Sequence, residues 1–330
     1  MARSQKSSQK APGGGQNTQQ GSEGDGSWTD WFVFIVAWGF IRTILVFPYP
    51  MRLRMMGFFV RWIAGPLAGY RDRAEANLSH IWPDMPADER RAIANRVLQN
   101  SGRALIENFD LKEQKRRSAA AHVYGPGLAA IDQAQAENQP VLLISGHFGN
   151  YTANRSAMAV RGYEVAALYR PWSNAYLNRH YMAHFGTGLG PAFPQGRRGT
   201  MGLVRHLNGG GIGAIMFDVY DSAGVKIDFM GKPAPTLTSA ADIALKTGSL
   251  LIPCFATRAP NGVDYQVCYE EPVAHGDPAE MMREVTRRLE ARVNAHPDQW
   301  FWVHRRWKPD RQERRQRKAA AANMGPKSGA

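Results

Sequence analysis

Hydrophobic and polar positions divide the chain into four unequal stretches. Residues 1–27 are Gln, Ser, Gly and Lys with almost no apolar side chain, a composition that predicts a disordered polar tail. An apolar run from Trp31 to Phe47 follows, interrupted by Arg42 and ended by Pro48 and Pro50. At roughly 17 residues it sits at the lower limit for crossing a bilayer. Phe58, Phe59 and Trp62 then interleave with Arg52, Arg54 and Arg61, so residues 28–64 read as a helical membrane anchor, spanning or interfacial. A polar tail ahead of the run and no small-residue cleavage site behind it argue against a secretory signal. From Tyr70 to Lys112 the pattern is helical: Ile93, Val97 and Leu98 recur at helical spacing, and Ala87-Asp88-Glu89 open a helix after Pro86. Short apolar runs predict strands at Val141–Ile144, Glu164–Leu168, Ile212–Phe217, Leu250–Phe255 and Tyr265–Tyr269. Met281, Val285, Leu289 and Val293 repeat every fourth residue and predict an amphipathic helix between Glu280 and Val293. Strands alternating with helices place residues 65–310 in the α/β class, a mixed sheet covered by helices. Residues 311–330 form a basic tail, predicted to be disordered. No repeat of solenoid period is present.

Composition narrows the partners. A chain of 330 residues with 44% hydrophobic side chains can build a full core. The net charge of +13 fits an anionic membrane surface, an acidic protein or nucleic acid. Neither zinc-finger spacing nor an RNP-like aromatic motif is present, so nucleic acid is not expected. Cys254 and Cys268 lie in apolar strand-like runs, which predicts reduced core thiols and not a disulfide or metal site. His180 and His184 have helical spacing without the glutamate or third ligand a zinc site needs. Gly209–Gly211 precede a strand where a dinucleotide fingerprint would follow one.

Candidate chemistry centres on "LLISGHFGNYT", residues 142–152, an apolar strand opening into a glycine-flanked loop that carries His147. A neutral imidazole there can take the proton from a hydroxyl. Such a base wants a carboxylate partner, and the position five residues on is Thr152. Asp218 and Asp221, at the end of another predicted strand, are the nearest substitutes by motif logic, although turn chemistry also favours aspartate. Arg170, straight after the second predicted strand, and Arg197-Arg198, ahead of a predicted helix, are candidate anion holders.

These residues together resemble the bacterial lipid A biosynthesis (late, or secondary) acyltransferases of the lysophospholipid acyltransferase superfamily. The likeness runs from about Trp28 to Asp310 and includes "RAEANLSHIWPDMPADER", "SGHFGNY", "YRP", Arg197-Arg198-Gly199, "FDVYD", "FMGKPAPT" and "WFWVHRRWK". The resemblance implies a glycerolipid acyltransferase-like fold with an N-terminal hydrophobic anchor helix. It implies acyl transfer from acyl carrier protein or acyl-CoA to a lipid hydroxyl, a lipid A precursor or lysophospholipid, at the cytoplasmic face of the inner membrane. No metal or redox cofactor is implied. His147 matches the family's general base, Arg170 its anion-binding arginine, and Asp218, Gly231 and Pro233 its later site motif. Where the family carries Asp or Glu this chain has Thr152. The departure implies a slow enzyme, one that recruits Asp218 or Asp221, or a lipid-binding homologue without turnover.

Overall fold

The computed structural model of the chain describes residues 26–185 and 188–307. The predicted tails 1–27 and 311–330 therefore fall outside the described residues except for Gly26 and Ser27; the latter caps the first helix through its side chain. Helices α1 (Trp28–Leu45) and α2 (Tyr49–Phe59) lead through a π-helical turn (Val60–Ala64) and a short α3 (Gly65–Leu67) to α4 (Tyr70–Ile81), α5 (Ala87–Glu107) and α6 (Leu111–Ala120). Next come β1 (His122–Tyr124), α7 (Gly127–Ala136), β2 (Val141–Ser145), α8 (Ala153–Val160), β3 (Val165–Tyr169), α9 (Ala175–Phe185), β4 (Ala192–Pro194), α10 (Arg197–Asn208) and β5 (Ile212–Met216). The chain closes with β6 (Val225–Phe229), β7 (Lys232–Thr236), α11 (Ser239–Thr247), β8 (Leu250–Arg258), β9 (Tyr265–Tyr269) and α12 (Pro278–Ala295).

Strand order in the seven-stranded sheet is β1-β9-β8-β2-β5-β3-β4. The five strands from β8 to β4 run parallel, while β9 is antiparallel to β8 and β1 follows β9. Parallel strands need helical cover on both faces, and β2 shows why its sequence reads as an unbroken apolar run. Leu142 and Ile144 face one core, with Leu203, Leu207, Val285 and Leu289 of α10 and α12. Val141 and Leu143 face the other, with Ile131, Ala157 and Met158 of α7 and α8. Every residue of β2 is buried, so the strand that delivers His147 is anchored from both sides.

The predicted strands are present, with β8 extending three residues further, to Arg258. Four strands are not among those predicted. β1 and β4 have only three residues each, too short for a period to show. β6 and β7 form a separate hairpin whose second strand, "KPAPT", carries two prolines. A two-stranded hairpin tolerates them because each strand has a free edge where a missing N–H costs nothing. Met281, Val285, Leu289 and Val293 are all buried along α12, as their spacing predicts. Both cysteines are buried and free, on adjacent strands β8 and β9.

Candidate active site

Parallel strands deliver their C-terminal ends to one edge of the sheet, and that edge gathers the predicted chemistry. β2 ends into Gly146-His147 and its neighbour β5 into Phe217-Asp218. The imidazole Nδ1 of His147 lies 2.7 Å from Asp218 Oδ1, and the His147 backbone N–H donates to Asp218 Oδ2 at 2.7 Å. The Trp300 indole N–H, from the segment after α12, donates to the same Oδ2 at 2.9 Å. Asp218 is fully buried, which by itself opposes ionisation; the His147 imidazole, the neighbouring His304 and the His147 backbone N–H outweigh burial and hold the carboxyl well below its ordinary range. An ionised Asp218 fixes the proton on Nδ1 and leaves Nε2 with its lone pair, the tautomer a base needs. His147 itself remains partly open, with about a quarter of its side chain exposed.

The loop geometry explains the glycines of "SGHFG". A Cβ on Gly146 would meet Leu289 Cδ2 at 2.8 Å and Asp218 Oδ2 at 3.1 Å. Gly149 has φ +56°, and a Cβ there would lie 1.9 Å from the Ala256 carbonyl oxygen. Residues 147–150 are stitched on both sides: Gly149 N–H donates to Gln299 O, Asn150 N–H to Ala256 O, and Phe301 N–H to His147 O.

Thr152, five residues after His147, does not partner its ring. Its buried hydroxyl accepts from Gln114 Nε2 of α6 at 2.5 Å and donates to Asn150 Oδ1 at 2.9 Å. The hydroxyl belongs to a neutral cluster that fastens α6 to the start of α8. Asp221 also stays off His147: its Oδ1 accepts from Ala223 N–H and its carbonyl from Gly224 N–H, the turn chemistry that favours aspartate.

The arginines stand further along the same edge. Arg170 leaves β3 and Arg197-Arg198 follow β4, two and three strand spacings from β2, or about 10 and 14 Å at ~4.8 Å per strand. All three are exposed, and their side chains make no hydrogen bond or ion pair among the described residues. Arg197 and Arg198 open α10, where helix N–H groups add to the attraction for an anion. Gly231, with φ +71°, and Met230, with φ +57°, make the β6–β7 turn, and Pro233 stands opposite Asp228 in that hairpin. The turn accounts for Gly231. Among the described residues no His, Cys, Asp and Glu cluster could hold a metal. The ring of His180 packs between Phe34 and Trp38 of α1, at 4.5 and 5.1 Å, which gives that histidine a packing role; the His184 side chain lies outside the described residues.

Two participants went unpredicted, Trp300 and His304. The His304 ring lies 4.5 Å from that of His147, edge to face. The segment was legible only as part of an aromatic-rich "WFWVHRRWK"; no local spacing relates it to a histidine more than 150 residues earlier.

A profile of the family described as bacterial lipid A biosynthesis acyltransferase matches residues 23–309. The lipid A biosynthesis lauroyltransferase of Escherichia coli K12 is 25% identical, covering 85% of this chain and 92% of its own. A phosphatidylinositol mannoside acyltransferase of Mycobacterium tuberculosis is 24% identical over 87% of this chain and 91% of its own. The crystal structure of a 1-acyl-sn-glycerophosphate acyltransferase from Thermotoga maritima aligns over 77% of this chain and 99% of its own, at 13% identity and a TM-score of 0.34, too loosely to carry an argument.

Proposed function

The chain belongs to the bacterial lipid A biosynthesis acyltransferases, and from that premise we propose that His147 and Asp218 work as the base pair of an acyl transfer from a thioester to a lipid hydroxyl. The observation that carries this reading is the 2.7 Å contact between His147 Nδ1 and Asp218 Oδ1, buried at the edge where β2 and β5 end. His147 Nε2 takes the proton of the acceptor hydroxyl while the oxygen attacks the thioester carbonyl carbon. The C–S bond of the tetrahedral intermediate then breaks, and the departing thiolate receives the proton from His147. Asp218 stabilises the imidazolium in between, the role aspartate plays in the serine-protease triad. The reading needs no metal or redox cofactor.

Acyl carrier protein is the donor we favour, with acyl-CoA second, because a +13 chain attracts an acidic carrier. For the acceptor we favour a lipid A precursor or a lysophospholipid, its phosphate held by Arg170, Arg197 and Arg198. The two relatives named above differ in the lipid their names carry, so the acceptor is chosen within the family and not by it.

We place the enzyme on the cytoplasmic face of the inner membrane. α1 buries only Phe34, Ile41 and Ile44, and presents Phe32, Val36 and Phe40 outward. Phe40 meets Phe59 at 4.5 Å, which continues the apolar surface into exposed Phe58, Trp62, Ile63 and Leu67. Arg61 lies 4.7 Å over the Trp62 ring, a basic and aromatic combination suited to anionic headgroups. α1 is long and apolar enough to cross a bilayer. Purified full-length protein, offered acylated carrier protein or acyl-CoA against each acceptor lipid, tests the reading. Transfer to a phosphate-bearing lipid hydroxyl is expected, and thioester left unconsumed with every acceptor contradicts it.

A further inference from the structure

The segment that follows α12 wraps the base. Trp300 donates to Asp218, Phe301 N–H donates to the His147 carbonyl, and His304 turns back so that its ring meets the His147 ring edge to face. Packing holds this segment firmly: Trp300, Trp302 and Trp307 are fully buried against one another and Phe229, with ring centroids 4.9 to 5.9 Å apart. Asn77 of α4 fixes its backbone by donating to the carbonyls of Trp302 and His304. Phe301 also meets the His304 ring, at 4.7 Å and nearly perpendicular to it.

An imidazole placed so carefully is expected to spend its nitrogens on protein partners. His304 does not. Its Nε2 is buried without a hydrogen-bond partner, and no side-chain hydrogen bond engages the ring among the described residues. Burial, and then the neighbouring His147, push its pKa down to about 3, against a smaller opposing pull from Asp218. A neutral imidazole offers one N–H.

We infer that His304 is a second catalytic imidazole, which donates a hydrogen bond to the thioester carbonyl oxygen as negative charge gathers on it. The inference rests on the acyl-transfer reading of the site. Geometry suits the division of labour: the attacked carbon must lie within reach of the hydroxyl held at His147 Nε2, and the His304 ring adjoins the His147 ring with a nitrogen that no protein group engages. A neutral imidazole serves as electrophile in the same way in triosephosphate isomerase, a worked case of general enzymology. A side-chain donor of this kind strengthens its bond only as the oxyanion forms, so its loss falls on kcat and not on KM.

Steady-state transfer by full-length wild type, His304→Phe and His304→Gln, with melting temperatures for each, decides the matter. His304→Phe fills the slot and removes the nitrogens; it is expected to melt no lower than wild type and to lose roughly 10²–10³ in kcat with KM little changed. His304→Gln restores an N–H donor and is expected to recover at least tenfold over His304→Phe. Full activity in His304→Phe, a loss confined to KM, or His304→Gln no better than His304→Phe overturns the inference while leaving the base pair standing. A wild-type protein that transfers no acyl chain overturns the base-pair reading and this inference with it.

Discussion

Asp218 reaches His147 because two strands 71 residues apart in sequence are neighbours in the sheet, and the consequence is a carboxylate where the local motif offers only Thr152. Its environment has a pH signature. The folded pKa of Asp218 lies below its unfolded value, so the stability it contributes is fully present above about pH 4 and is lost as pH falls through the folded pKa. Melting curves of wild type and Asp218→Asn are therefore expected to differ most near neutrality and to converge in acid. A gap that widens in acid contradicts the assignment. Thr152 carries the complementary prediction. Its neighbours Gln114 and Asn150 are buried amides with no cation among them, so Thr152→Asp puts a carboxylate into a place that cannot solvate it. We expect a loss of about 3–5 kcal/mol in denaturant unfolding, the scale of an unpaired buried charge. A gain of activity at unchanged stability would point the other way.

At the scale of elements, the sheet's C-terminal edge orders the proposed site: His147, Asp218, then the arginines. Arg197 and Arg198 belong to α10 and stand three strands from His147, so the proposed role for them is binding an anion and not handling the proton. The double variant Arg197→Ala/Arg198→Ala is expected to raise the acceptor KM by roughly tenfold or more, at one to a few kcal/mol for charged hydrogen bonds, with kcat nearly unchanged. A kcat loss at constant KM in the acceptor titration would remove them from that role. The same scale shows what the sequence could and could not disclose. β2 was legible because a strand buried on both faces is apolar throughout, and α12 because Met281, Val285, Leu289 and Val293 mark one face. β1 and β4 left no period to read, and β7 hid behind Pro233 and Pro235. His147 was legible as a candidate from its glycines, and Asp218 stood among the candidate carboxylates. Which carboxylate reaches the ring depends on strand order, and strand order is a long-range property. Trp300 and His304 were hidden for the same reason: their closeness to His147 is made by α12 and the tryptophan cluster, not by any spacing along the chain.

For the whole molecule, the apolar outer face of α1, the Phe58–Leu67 patch and the +13 charge all favour an anionic bilayer. Arg61→Glu/Arg71→Glu removes two guanidinium groups near Trp62, and at about 1 kcal/mol per basic residue it should weaken binding to phosphatidylglycerol vesicles by tenfold or more. Co-sedimentation reads this directly, and binding to phosphatidylcholine vesicles should hardly change. Equal loss on both vesicle types would assign the residues to folding instead. The account as a whole turns on one partnership, and one comparison tests it: initial rates of thioester-to-lipid acyl transfer by wild type, Asp218→Asn and Thr152→Val. Thr152→Val keeps the shape of the buried cluster and removes its hydroxyl, whereas Asp218→Asn keeps the shape of the base pair and removes its charge. The expected result is a fall of roughly 10²–10⁴ in kcat for Asp218→Asn, with Thr152→Val within about tenfold of wild type. Near-wild-type turnover in Asp218→Asn beside a silent, folded Thr152→Val would contradict it.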